Sequence, residues 1–351
     1  MRLIEKVWFE GHNAKWWIVP LMLPLTFLFW LLSSFRRCLF ALNIKKSIKV
    51  NCPVVIVGNI GVGGNGKTPV VLYLVEQLTK HAIKVGVLSR GYGGKAPHYP
   101  YLLNENSSAL EAGDEPLLIY QRCNTPVVVG ADRIAAAEIL IEQGCQIIIS
   151  DDGLQHYRLK RDYELLIVDG KRLFGNGLLL PAGPLRESVS RLNEVERVIV
   201  NSADNKRMDE CLLKSKTPKH PMSLMAQRVI HLKSGRSKTL AEFVGEHSII
   251  NAIAGIGDPQ RFFDYLAQLG FTLDKQQGFV DHQDYNKSLF AKIDQVDNKT
   301  KPRQLLMTEK DAVKCKKFAE EHWWYLPVDA VFSDKDNELI IKDILTLINS
   351  Y

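Results

Sequence analysis

The sequence predicts an α/β protein with a mostly parallel sheet, a second and smaller α/β domain, and an N-terminal helix that associates with a membrane. Three observations predict it. Short apolar runs alternate with helical segments along most of the 351 residues, a glycine-rich loop follows the first of these runs, and a long apolar stretch precedes them all. Hydrophobic residues make up 46% of the chain, which suffices for a buried core and excludes disorder as the main state.

The N-terminal apolar stretch extends from Trp16 to Leu32 and is interrupted only by two prolines and Thr26. As a helix rising about 1.5 Å per residue it reaches roughly 25 Å, the lower limit for crossing a bilayer. Residues 33–50 contain several basic side chains and no acidic one, which places that side in the cytoplasm by the positive-inside rule. We expect a membrane anchor that spans the bilayer or lies in one leaflet; a buried core helix and a cleaved signal peptide are the alternatives.

Charge and cysteine content narrow the class of protein. Lys and Arg number 45 against 39 Asp and Glu, a net charge of +6. This surplus is compatible with phosphate groups or an anionic membrane surface, and we expect no nucleic-acid partner. The six cysteines form neither a C-x-x-C pair nor a zinc spacing, so we expect reduced thiols rather than a disulfide scaffold or a structural zinc site.

The glycine-rich loop has the pattern of a phosphate-binding loop. Gly61–Thr68 matches G-x-x-x-x-G-K-[ST], between a strand-like run at Val54–Val57 and a helical segment at Val70–Leu78. Glycines let backbone N–H groups surround phosphate oxygens, and the helix N-terminus adds partial positive charge. We expect the nucleotide to bind at Gly61, Val62, Gly63, Gly64, Asn65, Gly66, Lys67 and Thr68.

Two side chains of this loop have specific expected roles. Lys67 would contact the β- and γ-phosphates, and the Thr68 hydroxyl would bind Mg²⁺. A GTPase is the natural competitor, but it needs [NT]-K-x-D for guanine. The nearest match, Thr308–Asp311, places its lysine one residue too late.

A second set of candidate residues follows the strand-like run 146–150. Asp151 or Asp152 could provide the metal-binding acid that a phosphate loop requires, and the sequence leaves open which one. Gln155 and His156 could orient water around the metal or a phosphate. The structural alternative is an ordinary turn at a strand end, where Asp and Gly are common.

The acidic pair Asp114 and Glu115 precedes an amphipathic helix at 117–122. By itself the pattern equally suits an N-cap at Asp114 with Glu115 in the first turn. A basic, glycine-rich loop, Ser89–Gly94, follows the strand-like run 84–88 and lies beside the expected site.

These motifs together carry a family resemblance. In order, they are G-V-G-G-N-G-K-T-P (61–69), S-R-G-Y-G-G (89–94), G-D-E-P (113–116), G-A-D-R (130–133), D-D-G-L-Q-H (151–156), L-P-A-G-P-L-R-E (180–187), A-G-I-G-D-P-Q-R-F-F (254–263), D-H-Q-D-Y (281–285) and T-E-K-D-A-V-K (308–314). The set resembles the tetraacyldisaccharide 4′-kinase family, the lipid A kinases of Gram-negative bacteria, over most of the chain.

The resemblance implies a reaction and a location. The γ-phosphate of ATP would pass, with Mg²⁺, to the 4′-hydroxyl of a tetraacyldisaccharide 1-phosphate, the lipid A precursor, and form lipid IVA. The protein would act as a monomer at the cytoplasmic face of the bacterial inner membrane, in contact with its lipid. The alternative is a membrane-bound, nucleotide-dependent regulator without lipid kinase activity. A non-enzymatic scaffold has no use for Lys67 and the Asp151–Asp152 pair.

The resemblance also implies residue roles. Asp114 would be the catalytic base, assisted by His282. The Mg²⁺ shell would include Glu115, Asp151, Asp152 and Gln155. Residues resembling those that line the family's cleft are Arg90, Tyr92, Arg133, His156, Arg186 and Glu187.

The expected domain organisation follows from the same pattern. We expect a membrane-associated helix with a basic linker at 1–50, a kinase domain at 51–224, a second α/β domain at 225–332, and a C-terminal helix at 333–351 that returns to the first domain. Linker strands are expected near 225–232 and 328–332. His282 would then approach Asp114 across a cleft between the domains.

Overall fold

The computed structural model describes residues 3–201, 210–281, 283–290, 293 and 302–351. They pack as two compact units. The first comprises the residues up to Arg90 together with Thr125–Leu224 and Ala330–Tyr351, and the second comprises Gly91–Asn124 and Met225–Asp329. The C-terminal segment thus packs with the first unit, whereas Gly91–Asn124, inside the range expected for the kinase domain, packs with the second.

The strands of the described residues are β1 Val54–Gly58, β2 Val85–Ser89, β3 Tyr101–Leu102, β4 Val127–Val129, β5 Ile147–Asp151, β6 Tyr163–Asp169, β7 Arg197–Asn201, β8 Lys219–Met225, β9 Arg228–His231, β10 Ser237–Thr239, β11 Ile249–Ala254, β12 Thr272–Gly278, β13 Leu305–Thr308, β14 Trp323–Leu326 and β15 Asp329–Val331. The linker ranges expected at 225–232 and 328–332 contain β9, part of β8, and β15.

The helices are α1 Leu3–Phe9, α2 Lys15–Ala41, α3 Lys67–Lys80, α4 Ala109–Ala112, α5 Asp114–Cys123, α6 Arg133–Glu142, α7 Glu210–Lys214, α8 Leu240–Glu246, α9 Pro259–Gln268, α10 Lys287–Phe290, α11 Glu309–Cys315 and α12 Asp334–Asn349. Short 3₁₀ helices occur at Val189–Asn193 and Lys316–Phe318.

The sheet of the first unit has the order β15-β8-β7-β6-β1-β5-β2-β4. From β8 to β4 every neighbouring pair is parallel, which confirms the expected mostly parallel sheet. Strand β1 is buried along its whole length, as its uninterrupted apolar sequence predicts for a sheet covered on both faces.

The parallel arrangement determines where the candidate site lies. Strands β5, β1, β6 and β7 are consecutive neighbours and end at Asp151, Gly58, Asp169 and Asn201. The carboxyl ends of parallel strands meet at one edge of the sheet, and ligands of open α/β sheets bind at that edge. The glycine-rich loop therefore starts beside two strand-end aspartates and one asparagine.

The second unit has a sheet of its own in the order β10-β9-β14-β13-β11-β12. The four strands β14, β13, β11 and β12 are parallel, and β9 and β10 are antiparallel additions at one side. An aromatic core that includes Phe243 and Trp324, with ring centroids 5.0 Å apart, packs against this sheet. The expectation of a second α/β unit is therefore confirmed.

Helix α2 contains the apolar stretch and continues beyond it to Ala41. It is long and apolar enough to cross a membrane, yet only 11% of its most apolar window is buried. Trp16 and Leu21 are 77% and 72% exposed. A core helix would be mostly buried, so the core-helix alternative is not supported.

One side of α2 nevertheless packs against the rest of the first unit. Thr26 is only 8% exposed, and its hydroxyl accepts a hydrogen bond from the N–H of Ala182 (3.0 Å). Farther along, Arg37 forms an ion pair with Glu194 (2.9 Å). In the preceding helix α1, the Trp8 indole donates to the carbonyl of Pro181 (3.2 Å). The N-terminal helices therefore contact the 179–182 segment directly.

Candidate active site

The phosphate-loop motif forms the expected connection between β1 and α3. Gly66 is the N-cap of α3 and has a φ of +93°, a conformation that favours glycine. A Cβ atom at Gly66 would lie 2.8 Å from Asn201 Nδ2. The same Asn201 amide donates to the carbonyl of Asn65 (3.2 Å), so the end of β7 holds the loop in place.

The L-P-A-G-P-L-R-E motif runs alongside this loop. The N–H of Val62 donates to the Pro184 carbonyl (2.9 Å), and the N–H of Arg186 donates to the Ile60 carbonyl (2.6 Å). Gly61 and Leu185 form an isolated antiparallel bridge. Backbone pairing therefore attaches residues 184–186 to the phosphate loop.

Asn59 contacts three side chains of the site, although it lies outside the phosphate-loop motif. It is fully buried, and its side-chain oxygen accepts from Lys67 Nζ (3.3 Å). Its backbone carbonyl accepts from Arg186 Nη2 (2.9 Å) and Gln155 Nε2 (3.2 Å). The sequence feature that could have identified Asn59 is a polar residue between an apolar strand and the first glycine of the motif.

Asp152 is the carboxylate nearest the loop lysine. Its backbone has a φ of +49°, and its N–H donates to the carbonyl of Val57 (2.8 Å). Both nitrogens of the Arg186 fork bind the carboxylate, at 2.9 and 3.1 Å, and Lys67 Nζ lies 3.8 Å away. Burial opposes the charged form, but Lys67 and Arg186 outweigh it and lower the pKa of Asp152.

Asp151 ends β5 and is 2% exposed. Its carbonyl accepts from Arg133 Nη2 (3.3 Å), and Arg133 Nη1 donates to the Leu88 carbonyl (3.1 Å). Burial lowers the pKa of Arg133 to about 10, which still leaves the guanidinium charged at neutral pH. Arg133 therefore joins the ends of two neighbouring strands.

His156 follows the same strand and is neutral near pH 7. Burial, followed by the charges of Arg133, Arg161 and Arg36, lowers the pKa of its imidazole to about 4. A neutral imidazole can donate or accept one hydrogen bond at each nitrogen, but it supplies no positive charge for a phosphate.

Glu187 organises the polar groups behind the loop. It is 5% exposed and accepts hydrogen bonds from Gln155 Nε2 (2.7 Å) and the Tyr157 hydroxyl (2.8 Å). Arg191 Nε lies 3.4 Å from the same carboxylate. The amide nitrogen of Gln155 is thus occupied by Asn59 and Glu187, so this side chain stabilises the loop from behind.

The residues at the loop are compatible with Mg²⁺. Within the described part of the chain, no group of three or more His, Cys, Asp and Glu side chains could hold a metal ion. Mg²⁺ in phosphoryl-transfer sites needs only one or two carboxylates, because substrate phosphates and water complete the octahedron. Asp152, Asp151 and the hydroxyl-bearing Thr68 supply that donor chemistry.

The second unit contains a separate cluster of carboxylates and lysines. Asp114 is the first residue of α5 and is 7% exposed. Gly113, with a φ of +88°, is the N-cap, so Asp114 is not the capping residue. Lys314 Nζ lies 3.8 Å from Asp114, and Lys310 Nζ lies 3.1 Å from Glu115.

Both lysines belong to α11 and come from the T-E-K-D-A-V-K motif. Lys310 also pairs with Asp281 (2.9 Å). Lys314 is 3.3 Å from the fully buried Asp311 and lies over the ring of Tyr285, 4.0 Å from its centroid. This motif therefore places two ammonium groups against the acidic residues of the second unit.

The structure distributes the selected residues between the two units. Most of them belong to the first unit, which also contains the phosphate loop: Lys67, Thr68, Arg133, Asp151, Asp152, Gln155, His156, Arg186 and Glu187. Asp114 and Glu115 belong to the second unit. Arg90 is an exposed residue of the first unit, Tyr92 is an exposed residue of the second, and His282 lies outside the described residues.

Comparison with known proteins identifies close relatives over nearly the whole chain. A model of the family described as tetraacyldisaccharide-1-P 4′-kinase matches residues 18–346. A tetraacyldisaccharide 4′-kinase of Colwellia psychrerythraea is 57% identical over 341 residues, which cover 97% of this chain and 96% of the relative. The tetraacyldisaccharide 4′-kinase of Haemophilus influenzae is 46% identical over 332 residues, covering 94% and 93%.

A solved structure shares the fold. The crystal structure of LpxK from Aquifex aeolicus, described as an "apo" form in complex with ATP, superposes with a TM-score of 0.80 at 27% identity. The match covers 94% of this chain and 99% of that chain.

Proposed function

Because the chain belongs to the tetraacyldisaccharide-1-P 4′-kinase family, we propose that it transfers the γ-phosphate of ATP to the 4′-hydroxyl of a tetraacyldisaccharide 1-phosphate. The product is lipid IVA, an intermediate of lipid A biosynthesis. The observation that carries the proposal is the position of Lys67, whose ammonium lies between Asn59 and Asp152 at the start of a helix behind a complete phosphate-loop motif.

The first unit binds the nucleotide in this proposal. Backbone N–H groups of residues 61–66 and the N-terminus of α3 surround the phosphates. Lys67 exchanges its contacts with Asn59 and Asp152 for the β- and γ-phosphates. Arg186 keeps Asp152 in place meanwhile, because its fork binds both carboxylate oxygens.

A bound Mg²⁺ would neutralise charge that develops on the phosphates during transfer. Thr68, Asp151 and Asp152 are the residues that would hold it in the first unit. Glu115 remains a candidate from the sequence resemblance, and in the structure it pairs with Lys310. The contacts of Gln155 favour a role in holding Asn59 rather than in binding the metal.

Asp114 is the proposed general base. A sugar hydroxyl is a weak nucleophile, and its proton must be accepted as the phosphoryl group is transferred. Asp114 has a buried position at the start of α5, and the ammonium group of Lys314 lies 3.8 Å from its carboxylate. The resemblance assigns His282 as its assistant.

The N-terminal helices provide the proposed membrane contact, at the cytoplasmic face of the bacterial inner membrane. The exposed face of α2 is apolar and includes Trp17, Leu25 and Phe27, each at least 58% exposed. The basic residues that follow would face anionic headgroups. A monomer suffices, because one chain contains both the proposed nucleotide site and the proposed base.

The central test follows phosphate from γ-labelled ATP into tetraacyldisaccharide 1-phosphate in mixed micelles with Mg²⁺. Wild type should give a labelled bisphosphorylated lipid. Lys67→Ala should lose about 10³-fold in turnover, since it removes a cation that contacts the transferred group. Lys80→Ala, at the exposed end of the same helix, is the matched control and should match wild type.

A variant of the base separates chemistry from binding. Asp114→Asn should lower turnover about 10²-fold or more and leave ATP affinity within a factor of two. Nucleotide binding by wild type without labelled lipid would overturn the kinase proposal and favour the regulator. Equal losses of turnover and ATP affinity in Asp114→Asn would contradict the base assignment alone.

Membrane association is tested by flotation of the full chain with vesicles of phosphatidylethanolamine and phosphatidylglycerol. Leu25→Glu places a charge on the exposed apolar face of α2 and should reduce the vesicle-bound fraction strongly. Lys80→Ala should float like wild type. Unchanged flotation of Leu25→Glu would contradict a role for this face.

A further inference from the structure

Four charged side chains of the first unit form a cluster, which we call the ion cluster, next to the residues that hold the phosphate loop. Its members are Arg161, Glu164, Glu187 and Arg191, two cations and two carboxylates. Glu164, Glu187 and Arg191 are each at most 5% exposed, and Arg161 is half-buried. Buried charges are costly unless they are paired, so the members of the cluster depend on one another for their positions.

Arg191 is the centre of the ion cluster. Its Nη2 donates to Glu164, and its Nε lies 3.4 Å from Glu187. Nη1 lies 3.4 Å from the exposed Glu194. Burial opposes the charged form of Arg191, but Glu164 and then Glu187 outweigh it and raise the pKa of the guanidinium. Arg191 is therefore a permanent cation with one nitrogen directed at each of three carboxylates.

A series of contacts leads from Arg191 to the loop lysine. Glu187 Oε1 accepts from Gln155 Nε2 (2.7 Å), and the same nitrogen donates to the Asn59 carbonyl (3.2 Å). The side-chain oxygen of Asn59 accepts from Lys67 Nζ (3.3 Å). The two hydrogens of the Gln155 amide are thus used by Glu187 and Asn59, which determines how this side chain is oriented.

The ion cluster also holds the backbone on both sides of Gln155. Arg161 Nη1 donates to the Leu154 carbonyl (3.0 Å), and Arg161 Nη2 donates to the His156 carbonyl (2.5 Å). Glu164 binds Arg161 (2.9 Å) through one carboxylate oxygen and Arg191 through the other. Arg191 is therefore linked to Gln155 by two routes, one to its side chain and one to its backbone neighbours.

A second group of charged residues in the first unit provides a comparison. Arg197 pairs with Asp343 of α12 (2.7 Å), donates to the Tyr163 hydroxyl (2.9 Å) and contacts His220 Nε2 (2.8 Å). Tyr163 and Arg197 are the first residues of β6 and β7, so they lie at the edge of the sheet opposite the phosphate loop. These contacts attach α12 to the sheet, and their loss should affect stability without displacing the loop.

We propose that Arg191 is a positioning residue for phosphoryl transfer, which acts through Glu187 and Gln155 to fix Asn59 and thereby the ammonium group of Lys67. The inference rests on the proposed kinase function, and it assigns Arg191 no contact with ATP or the lipid. A displacement of about 1 Å in a group that contacts the reacting atoms can lower turnover about 10²-fold. Because Arg191 acts through three intervening side chains, we expect a smaller effect, of about 10-fold.

The first experiment replaces the guanidinium and keeps its charge. Arg191→Lys cannot reach three carboxylates at once, and it should lower kcat for lipid phosphorylation about 10-fold and raise the dissociation constant of ATP about threefold. Arg197→Lys is the matched control, because it makes the same replacement in the group at the opposite edge. It should keep both values within a factor of two of wild type. The melting temperature of each variant establishes that it is folded.

A double-mutant cycle separates positioning from a general loss of stability. Gln155→Met removes the amide that joins Glu187 to Asn59 and should itself lower kcat about 10-fold. If Arg191 acts through this amide, Arg191→Lys should lower kcat by no more than about twofold when Gln155→Met is already present. The dissociation constant of ATP should show the same lack of additivity. If Arg191→Lys does not fold, Glu187→Gln takes its place in the cycle, because it changes the next residue of the same series.

Two results would overturn the proposal. One is a kcat like that of wild type in Arg191→Lys. The other is an equal loss of kcat on Arg191→Lys with and without Gln155→Met, which would make Arg191 a structural residue alone. If wild type transferred no phosphate to the lipid, the proposed function would fail, while the ATP dissociation constants of the same cycle would still decide whether Arg191 acts on the loop through Gln155.

Discussion

The phosphate loop of the first unit and the acidic cluster of the second unit both pair carboxylates with cations, but in different ways. At the loop, Arg186 binds Asp152 with a planar fork and holds Asn59 as well. In the second unit, Lys314 approaches Asp114 at 3.8 Å as a single ammonium group. A fork fixes the orientation of a carboxylate, whereas an ammonium group mainly supplies charge.

In the proposed function, this difference corresponds to two chemical tasks. A carboxylate that helps to hold a metal and phosphates must be fixed in position, and the arginine fork achieves this. A carboxylate that accepts a proton must reach its substrate, and a single ammonium group constrains its orientation less than a fork does. The two regions therefore predict different responses when their cations are replaced.

The largest effect is expected on stability when Lys314 is removed. Its side chain is 5% exposed and neutralises the fully buried Asp311 as well as Asp114. Lys314→Met leaves these carboxylates without that cation and should lower the free energy of unfolding by about 3–5 kcal/mol. Urea unfolding monitored by tryptophan fluorescence measures it.

The exposed Lys316 provides the control, and Lys316→Met should change the free energy of unfolding by less than about 0.5 kcal/mol. Adding Asp311→Asn to Lys314→Met should restore part of the loss. A single Lys314→Met variant as stable as wild type would show that the ammonium group does not neutralise a buried carboxylate.

Replacing the guanidinium of Arg186 by an ammonium group should lower turnover, although the positive charge is kept. Arg186→Lys keeps the positive charge but cannot bind both oxygens of Asp152 and the Asn59 carbonyl at once. We expect kcat to fall about 10²-fold, since the carboxylate that is proposed to bind the metal is no longer fixed. Steady-state lipid phosphorylation at saturating ATP measures the change.

Arg158→Lys is its counterpart on the surface, where a single 3.5 Å contact links Arg158 to Asp132. That variant should match wild type. If Arg186→Lys also turned over at the wild-type rate, charge alone would be sufficient at the loop, and the contrast between the two regions would disappear.

The smallest expected effect is a pH dependence of stability that arises in the first unit, at His156. Burial lowers the pKa of His156 to about 4, whereas an unfolded histidine titrates near 6.5. Between these values the unfolded state binds a proton that the folded state does not, so stability falls as the pH falls. The slope from this residue is at most about 1.4 kcal/mol per pH unit.

His156→Gln should remove this slope, and urea midpoints between pH 6.5 and 4.5 measure it. His98→Gln, at an exposed position of the second unit, should leave the slope unchanged. A variant at 156 that lost stability with pH as steeply as wild type would show that this imidazole is not held neutral by its surroundings.

The sequence predicted the first region far better than the second. The strand, the loop and α3 are contiguous, and the apolar run of β5 leads directly to Asp151 and Asp152, so local patterns were sufficient. Asn59 lies outside the motif and is recognised only through contacts that the sheet creates. The side-chain roles inferred from resemblance remain predictions.

The structure of the second region depends on ion pairs between residues that are distant in the chain, and no local sequence pattern indicates them. Arg122 on α5 pairs with Glu309 and Asp329, which are 187 and 207 residues away in the chain. Such ion pairs join Gly91–Asn124 to the rest of the second unit. In the sequence, however, this segment comes between β2 and β4, two strands of the first unit. Hydrophobic periodicity reports which face of an element is buried, and it carries no information on which distant element covers that face.

The buried hydroxyl of Thr26 has a consequence for how the enzyme meets its substrate. Through Ala182 it links α2 to the segment that pairs with the phosphate loop. In the proposed membrane-bound enzyme, the depth at which α2 rests in the lipid then sets the height of the ATP phosphates above the bilayer. The enzyme would thereby favour lipids whose sugar hydroxyl lies at that same height above the acyl chains.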